Sequence, residues 1–234
     1  MQSLHLISLL LQYPSCELQA VAAEIRQRLA ADPALPQAAA AALDPLLIRL
    51  ATGDIYDVQE AYVELFDRGR AHSLHLFEHV HGESRDRGQA MVDLRQRYLD
   101  AGLEPEGNEL PDYLPLFLDY CSTLSEARAR DTLAEPGVVL IALASRLAAK
   151  GSDYAPVFAL LCEVAGLEMD AEAAKALSPA EDPETLEDLD AQWEEEEIRF
   201  TADAAPDPTA ACPQVSAILD RMRAPLPANP ANRS

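Results

Sequence analysis

The sequence predicts an all-α fold, a single helical-bundle domain followed by a tail. Three observations carry that expectation. Apolar residues recur at three- and four-residue spacing in nearly every segment. Alanine and leucine dominate while aromatic residues make up only 6%, a bias toward helix over strand. No useful stretch alternates apolar with polar residues, and no internal repeat is visible. At 234 residues, 49% of them hydrophobic, the chain is long enough to bury a core without disulfide or metal staples. The expected division is a helical domain over 1–203 and a Pro-rich, disordered tail over 204–234, where six of the seventeen prolines fall.

The elements follow in order. A first helix covers about 3–12 and stops before Tyr13-Pro14. A second, 16–31, takes Ser15 as its N-cap and ends near Asp32-Pro33. Residues 36–52 read as one helix that Asp44-Pro45 can interrupt. Asp54 caps a helix over 55–67, whose Ile55, Val58, Tyr62, Leu65 and Phe66 share a face, and Gly69 stops it. Residues 72–81 are expected to make two to three helical turns ending at Gly82. Ser84 caps 85–101, with Met91, Leu94 and Tyr98 on one side and Gly102 beyond the end. Pro111 sits in the first turn of a helix reaching Ser125. Further helices are expected at 136–150, 154–166 and 183–200, the last carrying the stripe Leu186, Leu189, Trp193 and Phe200.

Charge narrows the function classes. Forty acidic against eighteen basic side chains give a net charge of −22. Such a surface repels nucleic acid and anionic lipid and attracts basic peptides. Fourteen acids and two bases lie within 168–203. The longest unbroken apolar run, 138–144, is too short to span a bilayer, and the apolar start lacks the basic region and cleavage site of a secretory signal. Cys16, Cys121, Cys162 and Cys212 stand 105, 41 and 50 residues apart. That spacing favours isolated reduced thiols in core or tail over a zinc knuckle or disulfide frame.

Two constellations invite chemistry. His75-Leu-Phe-Glu78-His79 is an H-x-x-E-H pattern. On one helix face its two imidazoles could share a zinc ion while Glu78 activates a water, the basis of an alternative reading as a metal-dependent hydrolase. Availability of a third carboxylate ligand counts for little in a chain with forty, and half-buried, hydrogen-bonding histidines explain the pattern as well. No phosphate-binding glycine loop and no nucleophile elbow is present. The second constellation is charge contrast. Residues 65–97 hold six arginines and five acids inside a strongly acidic chain. His79, His81, Glu83, Arg85, Asp86 and Arg87 are expected to form a hydrogen-bonded network there, shaping a binding surface rather than doing chemistry.

The stretch LFEHVHGESRDRGQAM, 76–91, resembles the signature of the respiratory nitrate reductase assembly chaperones, the NarJ or delta-subunit family. Tyr62-Val-Glu-Leu65-Phe66 resembles the Y-x-x-L-F segment of the wider TorD-like clan. Pro111-Asp112-Tyr113 resembles that clan's P-D-H hinge motif, with tyrosine where histidine is usual, and Trp193-Glu-Glu-Glu also fits the subfamily. The resemblance covers about 56–200 in order.

It implies an all-helical, cytoplasmic chaperone without enzymatic activity and without a resident cofactor or metal. The implied partner is the catalytic molybdenum subunit of nitrate reductase, recognised through a helical, partly basic N-terminal segment and held for molybdenum cofactor insertion before membrane anchoring. Molybdenum cofactor biosynthesis proteins are further implied partners; nucleic acid and stable membrane insertion are not. The implied client-binding and structural residues are Tyr62, Leu65, Phe66, Phe77, Glu78, His79, His81, Glu83, Arg85, Asp86, Arg87, Pro111, Asp112 and Tyr113. Tyr113 leaves in doubt any role that needs an imidazole titrating near neutrality at that position.

Overall fold

The computed structural model describes residues 2–80, 85–104 and 109–169. Among the described residues the chain is helical throughout, with ten α-helices and two 3-10 turns. They run α1 (Gln2–Leu10), α2 (Cys16–Ala31), α3 (Gln37–Ala42), α4 (Asp44–Thr52), α5 (Ile55–Phe66), α6 (Arg85–Asp100), α7 (Leu114–Thr123), α8 (Glu126–Leu133), α9 (Gly137–Ala149) and α10 (Ala155–Ala165). The 3-10 turns, Arg70–His72 and Leu76–His79, join α5 to α6. The expected helix at 183–200, the division at 203 and Cys212 lie outside the described residues.

Local chemistry sets most boundaries. Ser15 Oγ accepts the Leu18 N–H at 3.2 Å and Asp54 Oδ1 accepts the Tyr56 N–H at 2.9 Å, so both expected N-caps are made. The 36–52 segment divides at Leu43, and Pro45 lies in the first turn of α4, where its missing N–H costs nothing. Asp44 then faces Arg26 of α2, with Arg26 Nε donating to Oδ1 at 2.7 Å. Gly166 ends α10 in the left-handed region at φ 70°, a conformation glycine adopts without steric cost.

Three expectations are corrected. Of the segment expected over 72–81, the described residues 72–80 form no α-helix, because their backbone groups find partners elsewhere in the fold. The Leu76 N–H donates to Asp112 O at 3.0 Å, and Leu74 O accepts the Leu114 N–H at 2.8 Å. The helix expected from Pro111 begins at Leu114, with Pro115 in its first turn, because 110–113 are held in that same pairing. Cys16, expected in core or tail, is exposed at the start of α2, whereas Cys121 and Cys162 are buried. One helix, α8, had no counterpart in the sequence reading.

α1 packs on α7 and α2, α2 on α4, α7 on α8, and α9 on α10. The shared core includes Leu4, Ile7, Leu10, Phe117, Leu118, Leu140, Leu143, Phe158 and Leu161, all fully buried. Each such side chain stabilises the fold by roughly 1.5–3 kcal/mol relative to exposure. No single helix among the described residues is long and apolar enough to cross a membrane. Only α8 and α9 together, bent by 71°, reach that length and composition.

Candidate functional site

The motif residues converge where the 3-10 turn Leu76–His79 meets the segment before α7. Asp112 has no exposed surface, yet both carboxylate oxygens and the backbone carbonyl have partners. Its Oδ2 accepts the Phe77 N–H at 3.0 Å, its Oδ1 meets His75 Nδ1 at 3.2 Å, and its carbonyl accepts the Leu76 N–H. A single antiparallel bridge pairs His75 with Tyr113, and buried Tyr98 of α6 donates its hydroxyl to Pro111 O at 2.7 Å. The result is a clamp in which one buried carboxylate fastens the histidine-rich turn to the start of α7.

Leu76 and Phe77 plug the core below the clamp, each about fully buried. The two histidines of the H-x-x-E-H pattern take separate tasks. His75 faces Asp112, and that hydrogen bond raises its pKa above the ordinary imidazole value despite partial burial. His79 turns its Nε2 to Ser73 O at 2.8 Å, and burial lowers its pKa, favouring the neutral ring. The shared helix face that the hydrolase alternative requires is therefore not formed. Among the described residues, no three His, Cys, Asp or Glu side chains are grouped as a metal site would need.

α5 supplies the aromatic side of the site. Tyr62 and Phe66 point inward and are buried, with Leu65 partly so. The Tyr62 hydroxyl donates to Leu11 O at 2.9 Å and lies 3.4 Å from the Tyr113 hydroxyl. Phe66 and Tyr154 meet edge to face at 5.0 Å, and the Arg49 guanidinium lies 5.8 Å from the Tyr154 ring centre. Burial raises the Tyr62 and Tyr113 pKa values, so both phenols stay neutral at physiological pH. Tyr113, standing where the clan has histidine, tilts against the His75 ring at 5.4 Å. The imidazole beside Asp112 is thus contributed by His75.

Of the expected charged network, only the His79 and Arg87 side chains lie among the described residues, and Arg87 meets a residue outside that set. Arg87 Nη2 lies 3.5 Å from Glu78 Oε1, at the edge of hydrogen-bonding distance, and both side chains are partly exposed. His79 turns away from it toward Ser73. Arg85 and Asp86 open α6, but their side chains, with His81 and Glu83, lie outside the described residues.

The best-defined ion pair in the region escaped the sequence reading. Arg97 donates through Nη1 and Nη2 to the two carboxylate oxygens of Glu135, at 2.7 and 2.9 Å. The side chains are only 8% and 14% exposed, and the guanidinium lies 5.9 Å from the Tyr120 ring centre. This fork ties α6 to the α8–α9 turn. The signal was available: Arg97 shares the inward sector of α6 with Ala90 and Leu94, a position where a charge requires a partner.

The "Nitrate reductase delta subunit" family profile matches residues 32–160, a span that holds the clamp, the aromatic cluster and the Arg97–Glu135 fork. The chain belongs to the nitrate reductase delta subunit family. It is 46% identical over 205 residues to the nitrate reductase molybdenum cofactor assembly chaperone NarJ of Escherichia coli K12, covering 87% of this chain and 86% of that protein. It is 39% identical over 211 residues to a probable assembly chaperone of the same kind, NarW, from the same organism, covering 88% and 86%. A probable NarJ of Bacillus subtilis matches at 35% over 102 residues, or 44% of this chain and 55% of that protein. Family membership therefore rests on the body of the chain as well as on the histidine-rich block.

Proposed function

We propose that this chain is a molybdenum cofactor assembly chaperone of nitrate reductase, acting on its catalytic subunit and catalysing no reaction itself. The observation that carries the reading is the 46% identity to the Escherichia coli assembly chaperone, sustained over 87% of the chain. The residues suit the task. A strongly acidic surface attracts basic segments and repels nucleic acid. The buried clamp and fork hold the motif-bearing segments in one fixed geometry, which reduces the ordering cost of binding a partner.

In this reading the chaperone engages the catalytic subunit in the cytoplasm through that subunit's helical, partly basic N-terminal segment. It keeps the subunit open for cofactor insertion and leaves before membrane anchoring. Buried Tyr62, Phe66, Phe77 and Asp112 act here by shaping the surface. Glu78 and Arg87 lie at its edge, and proteins of cofactor biosynthesis are transient visitors to the complex.

The test is a deletion of this chain in cells carrying the nitrate reductase operon, with molybdenum measured in the purified catalytic subunit. The expected result is a subunit produced at normal level but depleted of molybdenum, restored when the chain is supplied again. A fully loaded, active enzyme in the deletion strain would refute the reading.

A further inference from the structure

α5 presents two unlike faces. Val58, Tyr62 and Phe66 point into the core. At 3.6 residues per turn, the opposite sector carries Asp57, Glu60, Glu64 and Asp67, with Tyr56 and Val63 along one flank and Gln59 between that flank and the core. Tyr56 is 77% exposed, more than any other large hydrophobic side chain among the described residues. Gln59 Nε2 donates to Pro14 O at 2.7 Å, and Tyr13, itself 50% exposed, meets Tyr62 edge-on at 5.7 Å. The α1–α2 link therefore borders this aromatic strip on one side.

Asp57, Glu60, Glu64 and Asp67 border it on the other, spaced three, four and three residues apart. Over ten residues that ladder is about 15 Å long, close to three helical turns. Arg68 reaches Glu64 at 3.4 Å, but both side chains are more than half exposed, and such a pair yields readily to competitors. Among the described residues no ion pair engages Asp57, Glu60 or Asp67.

We propose that this outer face of α5 docks a basic amphipathic helix of a partner protein. Its apolar side would cover Tyr56, Val63 and Tyr13, and lysines or arginines at three- and four-residue spacing would meet the carboxylate ladder. An exposed tyrosine is a suitable anchor because it offers large contact area at low ordering cost. The carboxylates set orientation and speed encounter. Nucleic acid and anionic lipid have the wrong sign for this face. That the helix belongs to the catalytic subunit rests on the proposed function; the surface and its partner chemistry do not.

The experiment uses the full chain and a labelled probe peptide of about 18 residues, long enough for a stable helix when bound. The peptide is built from leucine, lysine and alanine with leucine and lysine on adjoining faces. Tyr56→Ser and Glu60→Lys/Glu64→Lys alter only outward side chains, and unchanged melting temperatures verify their folding. Asp131→Lys/Glu163→Lys makes the same charge change at exposed sites on α8 and α10. Each α5 variant is expected to weaken peptide binding at physiological salt by at least about tenfold, and the control by no more than about twofold. No binding by the wild type, or equal weakening in control and α5 variants, overturns the proposal.

A second arm captures full-length catalytic subunit from co-expressing cells. Wild-type chain that binds the peptide through α5 but captures no subunit keeps the docking face and removes the proposed function. Wild-type and α5 variants that capture subunit equally remove its docking there and leave that function standing.

Discussion

The inward and outward sides of this molecule handle charge in opposite ways. On the inside, Asp112 and the Arg97–Glu135 fork are buried and met by short, directed hydrogen bonds. On the outside, α5 leaves Asp57, Glu60 and Asp67 facing water without an ion-pair partner among the described residues. Buried charges of the first kind are costly to strand, so they fix geometry. Exposed charges of the second kind add little stability and remain available for a partner. Position, more than residue type, divides structural carboxylates from recognition carboxylates here.

Substitutions should separate the two sides by size of effect. Arg97→Ala should have the largest effect, leaving the largely covered Glu135 carboxylate unpaired for a loss of about 3 kcal/mol in chemical denaturation. A loss below about 1 kcal/mol would mean that water reaches the pair. Asp112→Ala comes next. It strands the Phe77 N–H and the His75 ring, and about 1–3 kcal/mol of stability should go for each buried group left unsatisfied. Hydrogen exchange should speed at Leu76 and Phe77 first, since their N–H groups lose their acceptor geometry; unchanged exchange there would sever the clamp from the fold.

How much of this was legible differs from helix to helix. α2 and α5 were readable to within a residue or two because their caps are local: Ser15 and Asp54 sit next to the N–H groups they satisfy. The 72–81 segment was misread because its partner, Asp112, lies more than thirty residues away, and apolar spacing carries no information about distant acceptors. The same reason hid Glu135 from Arg97, thirty-eight residues apart. α8 was passed over because EARARDTL offers only Leu133 and small residues as an apolar stripe. The family motifs pointed to the clamp residues, but motif spelling gave no sign that Asp112 faces inward while Glu60 faces out.

The clamp histidines sharpen the contrast through pH. His75 has a raised pKa in the fold, so its stabilising contribution is full below the unfolded value of about 6.5 and fades as pH rises through the raised folded value. His79 has a lowered pKa, so the unfolded chain binds more protons and acid costs stability as pH falls below about 6.5. The melting-temperature gap between wild type and His75→Gln should widen on going from pH 8 to 6. The gap between wild type and His79→Gln should narrow below pH 6.5. Parallel, pH-independent offsets would show that neither imidazole changes its protonation on folding. The smallest effect is expected outside: Glu60→Lys should change stability by no more than about 0.5 kcal/mol.

The central claim is that the inside builds the chaperone and the outside recognises its partner. Its most direct measurement records two quantities on the same preparations of wild type and Glu60→Lys/Glu64→Lys: melting temperature, and catalytic subunit captured per folded chaperone. The account predicts an unchanged melting temperature with capture reduced at least about tenfold. Undiminished capture, or capture lost only in proportion to lost folded protein, would contradict it.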